Sequence, residues 1–315
     1  MGERILVIGG AGFIGSHTVD HLLTQGYSVR VLDNFSTGRR ENLPASHPRL
    51  EVVTGDIGDS HLWANLLADI DGILHLAAQV SVQKSIENPV NSCTENIRNF
   101  VIVLELARKR GVRVVYASSA AVYGDPQTLP LRESDPVVPI SPYGLEKYSN
   151  ELYAQLYEKM YGLSHLGMRY FNVYGPRQDP YSPYSGVISR FIVQMRSGQP
   201  LSIRGDGLQE RDFIHVADVA RANVAALFCT CSGVLNIGSG CATTIRQLGE
   251  TLCDLHGSGE FSWVPPIAGD IRHSCADITA MRTLLGAPKI TLAAGLGEFL
   301  NTDAGVDVGA EAVGA

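Results

Sequence analysis

The sequence predicts an α/β fold: a doubly wound parallel sheet, followed by a smaller mixed α/β C-terminal lobe. Three observations predict it. Short β-branched runs alternate with helical stretches through the first half of the chain, and parallel strands need helical crossovers between them. A glycine-rich turn joins the first run to the first helical stretch. The 315 residues, 45% hydrophobic and 18% charged, are enough to bury one large or two modest cores.

Taken in order, residues 4–8 form a β-branched run that ends in glycines. Apolar Ile14, Val19, Leu22 and Leu23 then recur at helical spacing as far as Gly26. Residues 28–32, 50–53, 72–76 and 113–117 read as further strands, with helices over 62–68 and 96–110 between some of them. Past Tyr161 the signals mix. A strand at 164–169 leads into a loop rich in Tyr, Pro and Ser over 174–186 and a helix at 187–197, and strand-like and helical pieces continue to about Leu300. The last segment, NTDAGVDVGAEAVGA, has no base and no aromatic residue and is expected to fray. No repeat at a solenoid period is present.

Charge and composition exclude several classes. There are 25 basic and 32 acidic residues, a net charge of −7, and no basic run that could track a phosphate backbone, so nucleic acid is not an expected partner. Apolar stretches such as 5–8 and 112–116 fall far short of the roughly 20 residues of a membrane span, so no membrane partner is expected. The start, MGERILVIGG, lacks an apolar leader with a small-residue cleavage site, and a cytoplasmic location is expected. Six cysteines (93, 229, 231, 241, 253 and 275) show no CxxC pair and no zinc spacing, and are read as reduced, structural thiols. Among nine histidines only His17 and His21 stand four apart, a spacing assigned to a helix face; no metal is expected.

The strongest chemical signal is Gly9-Gly10-Ala11-Gly12-Phe13-Ile14-Gly15, between the first strand and the first helix. Spaced glycines there let the backbone approach a pyrophosphate at a helix N-terminus, which makes the sheet a Rossmann-type dinucleotide site. Asp33 ends the next strand, where a carboxylate accepts the hydroxyls of an adenosine ribose and repels a 2′-phosphate. NAD is therefore the expected cofactor, while nearby Arg39 and Arg40 keep NADP as the alternative. Gly55-Asp56-Ile57 follows the third strand and His75-Leu76-Ala77-Ala78 the fourth, placing small residues where a dinucleotide crosses the strand ends.

Tyr143 and Lys147 stand four apart, hence on one helix face, and Ser118-Ser119 precedes them at the end of a strand. An ammonium beside a phenol, with a nicotinamide cation adding to the field, is expected to lower the tyrosine pKa towards neutrality, and a serine hydroxyl shares the hydrogen bond. Ser119, Tyr143 and Lys147 are the expected catalytic set.

These residues resemble the extended short-chain dehydrogenases/reductases and, within them, the NAD-dependent nucleotide-sugar epimerases. The resemblance runs over residues 4–297, through GGAGFIG, LDNFSTG, GDI, HLAA, SSAAVYG, SPYGLEK, RYFNVYGPRQ, RDFIHVADVA, NIGSG and GDIRHSCAD. It implies a tightly held NAD contacted by Gly9, Gly12, Phe13, Ile14, Gly15, Asp33, Asn34, Ser36, Thr37, Gly38, Asp56, Ile57, Leu76, Ala77, Ala78, Tyr143, Lys147 and Tyr170. It also implies that Tyr143 acts as base towards the sugar 4-hydroxyl, that Lys147 lowers its pKa and holds the nicotinamide ribose, and that Ser119 bonds the same oxygen. Hydride leaves C4, the 4-keto sugar turns, and hydride returns to the other face. Asn172 and Val187 are implied nucleotide-sugar contacts, Arg211 a diphosphate partner, and Asp270 an acceptor for the nucleotide ribose.

Two details subdivide the resemblance. The related dehydratases and decarboxylases carry an acid after the serine, whereas this chain reads Ser119-Ala120-Ala121, which favours epimerisation. The fourth residue beyond Asp270 lines the sugar pocket in 4-epimerases, and here it is the small Ser274, which leaves room for UDP-N-acetylglucosamine and its 4-epimer as well as UDP-glucose and UDP-galactose. Two departures stand against these matches. Ile267 replaces a usual arginine that grips the diphosphate, with Arg204 as the alternative cation, and an aromatic-rich C-terminal helix is missing. The expected organisation is an NAD-binding domain over 1–165 to which segments of 166–240 return, a nucleotide-sugar lobe over 166–300, and a flexible tail over 301–315. The resemblance further implies a homodimer through helices near residues 96–110 and 143–161. The alternatives are a nucleotide-sugar reductase or dehydratase, an epimerase at another carbon, and a non-catalytic dinucleotide-binding protein.

Overall fold

The computed structural model describes residues 3–179, 186–266 and 271–301. In chain order the first half comprises β1 (Arg4–Ile8), α1 (Phe13–Thr24), β2 (Ser28–Asp33), β3 (Leu50–Thr54), α2 (Trp63–Leu66), β4 (Gly72–His75), α3 (Val82–Glu87), α4 (Pro89–Cys93), α5 (Asn99–Arg110), β5 (Arg113–Ser119) and α6 (Pro142–Tyr161). There follow β6 (His165–Tyr170), β7 (Asn172–Tyr174), α7 (Val187–Arg196), β8 (Leu201–Arg204), β9 (Glu210–His215), α8 (Val216–Phe228) and β10 (Gly233–Ile237). The described chain ends with β11 (Ala242–Thr244), α9 (Ile245–His256), β12 (Phe261–Val264), α10 (Thr279–Leu284) and α11 (Leu292–Asn301).

A seven-stranded parallel sheet in the order β10-β6-β5-β4-β1-β2-β3 forms the centre. Its inner strands β1 and β4 are buried on both faces and read as short apolar runs, RILVI and GILH, whereas the edge strand β3, LEVVT, is only partly covered. β1 shows this directly: Ile5 and Val7 enter the core shared with α1 and α8, while Leu6 and Ile8 enter the core shared with α5 and α6. The chain winds outward from β1 in both directions, so the crevice between the carboxyl ends of β1 and β4 is the switch point where such folds bind ligands. A third core gathers Tyr174, Ile188, Phe191, Leu201, Phe213, Leu248, Leu296 and Phe299. Around it lie a three-stranded mixed sheet, β11-β9-β7, and the parallel pair β12-β8.

Local chemistry sets the helix that matters most. α6 opens on Ser141, whose hydroxyl oxygen accepts from the Gly144 N–H, with Pro142 in the first turn, and it closes on Gly162 in the left-handed conformation at φ 69°. Two sequence expectations change. The helix expected over 62–68 shrinks to the single turn of α2 behind a 3₁₀ turn, Ser60–Leu62. The helix expected over 96–110 divides into a π turn, Thr94–Arg98, and α5.

The cysteine reading is corrected as well. Cys229 and Cys231 form a disulfide across one intervening residue, so the reduced reading fails for these two, while Cys93, Cys241, Cys253 and Cys275 are free, the first two exposed. The pairing lies where the chain turns from α8 towards β10, with the Arg113 guanidinium donating to the Cys231 carbonyl at 2.6 Å. Of the tail expected over 301–315, Asn301 is the last residue of α11, and residues 302–315 lie outside the described residues. Among the described residues no helix is long and apolar enough to cross a membrane.

Phe100 is fully buried on α5, against Tyr116 with ring centroids 4.7 Å apart. Phe100→Ala is expected to lower stability by about 3–5 kcal/mol, through lost burial and a cavity, as read from the urea midpoint.

Candidate active site

The glycine turn fits a phosphate because side chains there would have nowhere to go, or would stand where the ligand belongs. Gly9 has φ +83°, and a Cβ on it would come within 2.5 Å of the Ala77 nitrogen. A Cβ on Gly15 would collide with the Gly9 carbonyl oxygen. Gly12 differs: it is the N-cap of α1, it makes no side-chain cap, and within 4 Å a Cβ on it would meet only the Gly9 oxygen, at 3.3 Å. The space in front of this helix N-terminus is thus open to an anion, which the aligned N–H groups attract. Phe13 and Ile14 begin the helix, and Phe13 packs edge-on against His17.

Asp33 ends β2 and is 8% exposed. Its Oδ2 accepts from Ala11 N–H at 2.8 Å and its Oδ1 from Phe35 N–H at 2.9 Å, which fixes the carboxylate while leaving lone pairs for two further donors. Asn34 reaches Asp56 Oδ2 at 3.1 Å and accepts from Ser36 N–H at 3.0 Å. Thr37 is exposed, and Gly38 passes so near Asp33 that a Cβ would lie 2.8 Å from Oδ1. Asp56 also accepts from Gly58 N–H at 2.8 Å, and Ile57 is buried beneath it. Leu76 and Ala77 both donate to the Ile8 carbonyl at 2.9 Å, with Ala78 next, so these residues line the ends of β1 and β4. Arg39 pairs with Asp179 at 3.6 Å, and Arg40 donates to the Pro44 carbonyl at 3.4 Å. Glycines where a Cβ would fill the cradle, beside a fixed carboxylate, fit a dinucleotide with a free 2′-hydroxyl.

Ser119 ends β5, and its oxygen accepts from Ala121 N–H at 3.2 Å. The Tyr143 phenol hydrogen-bonds to Ser119. Lys147, 3% exposed and one turn further along α6, donates to the Ala117 carbonyl at 3.0 Å, with Nζ 5.7 Å from the centroid of the Tyr143 ring. The protein's own groups do not lower the phenol pKa. Burial pushes Tyr143 up to about 12, the Ser119 hydrogen bond working against it and the Glu146 carboxylate with it. Burial also holds the Lys147 ammonium down to about 8, opposed by Glu146. Desolvation outweighs the attraction expected between ammonium and phenolate.

Tyr170 ends β6 opposite Ser119 in register, and its hydroxyl donates to Asn223 Oδ1 at 2.7 Å. Two residues on, Asn172 opens β7, pairs with Phe213 of β9, and donates from Nδ2 to the Asp212 carbonyl at 3.2 Å. β9 also carries Arg211, whose Nη1 donates to the Glu210 carbonyl at 2.8 Å. Ser274 is 8% exposed on the segment between β12 and α10, which meets the start of β9 where Arg272 O accepts from Glu210 N–H at 2.9 Å. Val187 begins α7 against the third core, and Arg204 ends β8. Asp270 and Ile267 lie outside the described residues.

Several polar groups around the site escaped the sequence reading. Ser85, fully buried, accepts from the Tyr143 backbone N–H at 3.1 Å. Asn96, in the π turn, accepts from Gln79 N–H and donates to Gln79 O, both at 2.9 Å, and donates to Glu146 Oε2 at 2.6 Å. Glu151 and Arg169 form a buried ion pair behind Tyr143 and Lys147. The one available signal was polar residues at core-facing helix positions, visible in α6 once its apolar stripe is drawn.

Fold and site together define a dinucleotide-binding protein of the short-chain dehydrogenase/reductase kind. The chain belongs to the NAD dependent epimerase/dehydratase family, whose model matches residues 5–238. It is 41% identical to a UDP-glucose 4-epimerase of Mycolicibacterium smegmatis, across 93% of this chain and 96% of that one. Among solved structures it is similar to a UDP-N-acetylglucosamine 4-epimerase of Methanobrevibacter ruminantium bound to UDP-N-acetylmuramic acid. That structure has TM-score 0.92 and 37% identity, over 95% of this chain and 98% of that one. A UDP-glucose 4-epimerase of Thermotoga maritima with UDP-glucose gives TM-score 0.89 and 39% identity, over 94% and 97% of the two chains.

Lys147 makes the stability of the cofactor-free protein depend on pH. Its ammonium is held at about 8 in the fold against an ordinary 10.5. Between those values the unfolded chain keeps a proton that the folded chain has released, so stability rises with pH across the window. Lys147→Met is expected to flatten that rise, as measured by urea unfolding at a pH just below the window and another within it.

Proposed function

We propose that this chain is an NAD-dependent UDP-sugar 4-epimerase that interconverts UDP-glucose with UDP-galactose and UDP-N-acetylglucosamine with its 4-epimer. The observation that carries the reading is the Tyr143 phenol bonded to Ser119 one helical turn from Lys147, at strand ends that also present the glycine turn and Asp33. The similarity to UDP-glucose and UDP-N-acetylglucosamine 4-epimerases supports it.

In this reading Gly9, Gly12, Gly15 and Asp33 hold the cofactor's pyrophosphate and adenosine ribose, with the segments at Asn34, Asp56 and Ala77 beside them. NAD, when bound, supplies a hydride acceptor and a positive charge at its nicotinamide. Tyr143 takes the proton of the sugar 4-hydroxyl and returns it once the 4-keto sugar has turned, while Ser119 shares the hydrogen bond on the same oxygen. Lys147 is mostly protonated at neutral pH, since its ammonium is held at about 8, and it keeps a cation near the phenol. Ala120 and Ala121 beside Ser119 hold no proton to give or take, which favours epimerisation over elimination. Arg211 and Arg204 take the diphosphate, Asn172 and Val187 the nucleotide sugar, Asp270 its ribose, and Ser274 leaves space for an N-acetyl group. Residues 166–300, apart from β6, α8 and β10, which return to the central sheet and its core, serve as the nucleotide-sugar lobe.

A second copy of the chain is the proposed partner. α6 exposes Leu145, Leu152, Tyr153, Leu156, Met160 and Tyr161 in a stripe at helical spacing, and an apolar face of that length is suited to a symmetric contact.

Purified protein incubated without added cofactor with UDP-glucose or UDP-N-acetylglucosamine is expected to yield the galacto epimer by NMR. A product of changed mass, or no conversion even with NAD supplied, sinks the reading. Tyr143→Phe is expected to lower the rate by about 10²–10⁴-fold with the fold intact. Ser274→Tyr is expected to reduce turnover of UDP-N-acetylglucosamine more than that of UDP-glucose, and equal losses on both sugars would remove Ser274 from the pocket.

A further inference from the structure

Glu151 follows Lys147 by four residues and Tyr143 by eight, so one face of α6 carries all three. Its side chain is fully buried and that of Arg169, on β6, is 4% exposed. The guanidinium grips the carboxylate twice, Nε to Oε1 at 2.9 Å and Nη2 to Oε2 at 2.7 Å. Oε1 also accepts a 2.6 Å hydrogen bond from Ser118 Oγ, in the residue before Ser119. Arg169 donates further, from Nη1 to the Tyr123 phenol oxygen at 2.8 Å and to the Glu133 carbonyl at 3.2 Å. Ser118 and Arg169 are partners in the β5 to β6 register. The helix bearing Tyr143 and Lys147, the strand end bearing Ser119 and the 3₁₀ turn Ala120–Tyr123 therefore all meet one ion pair.

We propose that Glu151 and Arg169, bridged to Ser118, are positioning residues that hold the Tyr143 phenol in hydrogen-bonding register with Ser119. The inference rests on the proposed role of Tyr143 as the group that moves the proton. A buried ion pair adds little net stability over apolar residues of similar volume, so stability alone gives it no reason to be there. What a forked pair supplies is direction. Two parallel bonds fix both the height and the rotation of α6 over the sheet, whereas an apolar contact lets a helix slide or turn by a fraction of an ångström. Ser118 carries that placement to Ser119 through a single peptide, and displacements of this size at reacting groups alter rates strongly.

Glu151→Gln leaves Arg169 buried without a charge partner, and the variant is at risk of unfolding. Ser118→Ala removes only the bridge and leaves the ion pair intact. In the NAD-loaded protein Ser118→Ala is expected to lower the urea midpoint while staying folded under assay conditions, to keep the KM for the sugar that the wild type turns over, and to lose kcat by about tenfold. The Tyr143 titration, followed by NMR of ¹³Cζ-labelled tyrosine and assigned by its loss in Tyr143→Phe, is expected to move to higher pH, because the Ser119 hydrogen bond pulls the phenol down. Ser118→Thr, which keeps the hydroxyl, is expected to restore both. An unchanged kcat and titration in Ser118→Ala overturn the inference, as does an equal loss in Ser118→Thr, or a loss that only follows the fraction of protein unfolded. A wild type that epimerises neither sugar overturns the functional reading instead, and the Tyr143 titration in wild type and Ser118→Ala then decides the positioning inference by itself.

Discussion

Gly9 and Gly15 carry no side chain where β1 hands over to α1, and the placement of the site rests on that. Gly9 lies against Ala77 and Gly15 against the carbonyl of Gly9 so closely that one methyl group at either place would push the helix off the sheet. With the helix seated, Leu76 and Ala77 both turn their N–H groups onto the Ile8 carbonyl, and there β1 and β4 part and open the crevice. The seating also extends sideways. Asn223 of α8 donates to Thr18 of α1 at 3.2 Å and accepts from the Tyr170 hydroxyl at 2.7 Å, so the helix that caps the crevice is tied to the strand end opposite Ser119. Helix position, crevice and the far wall of the site follow from one close approach.

Around that crevice the protein buries charge and then restrains it. Asp33, Glu146, Glu151 and Arg169 are each held by two or more hydrogen bonds, and Lys147 by one, to the Ala117 carbonyl. Fixed donors and acceptors of this kind need not reorganise when charge develops nearby. The same burial makes an isolated phenolate costly, which is why the Tyr143 pKa stands at about 12 on the protein's own account. On the proposed reading the phenol becomes an effective base only when further positive charge reaches the site, so proton removal is coupled to the oxidised state of the cofactor. A site with an already acidic tyrosine would lack that coupling.

How much of this was legible in the sequence depends on the distance between partners. The parallel sheet was legible because each strand announces itself within five or six residues, and a run such as RILVI has two buried faces to satisfy. Tyr143 and Lys147 were legible because their spacing is one helical turn. The short α2 was misjudged because its extent is set by a turn, where the Trp63 indole N–H donates to the Ile57 carbonyl at 2.9 Å, and not by the apolar period. The Cys229 to Cys231 pair has none of the spacings by which disulfides or zinc sites are recognised, and it depends on how the chain turns between α8 and β10. Glu151 with Arg169 and Asn96 with Glu146 are separated by 18 and 50 residues, and no local period records such pairings. Buried polar groups satisfied across the fold are the part of a site that pattern reading misses.

The same lesson governs the proposed substrate side, where Asp212 is fully buried on β9 beside Arg211. Its carboxylate accepts from Ser239 N–H and Oγ–H at 2.6 Å, from Gly240 N–H at 3.0 Å and from Ala276 N–H at 3.1 Å. Burial pushes its pKa up, and these donors hold it back. One anion thereby joins the loop after β10, the strand of Arg211 and the segment of Ser274 into a single unit. A small side chain creates room only if the backbone behind it does not close in, and a segment clamped at Ala276, two residues from Ser274, is poorly able to do so. On the proposed reading, sugar choice at this position is therefore a matter of side-chain volume against a fixed wall.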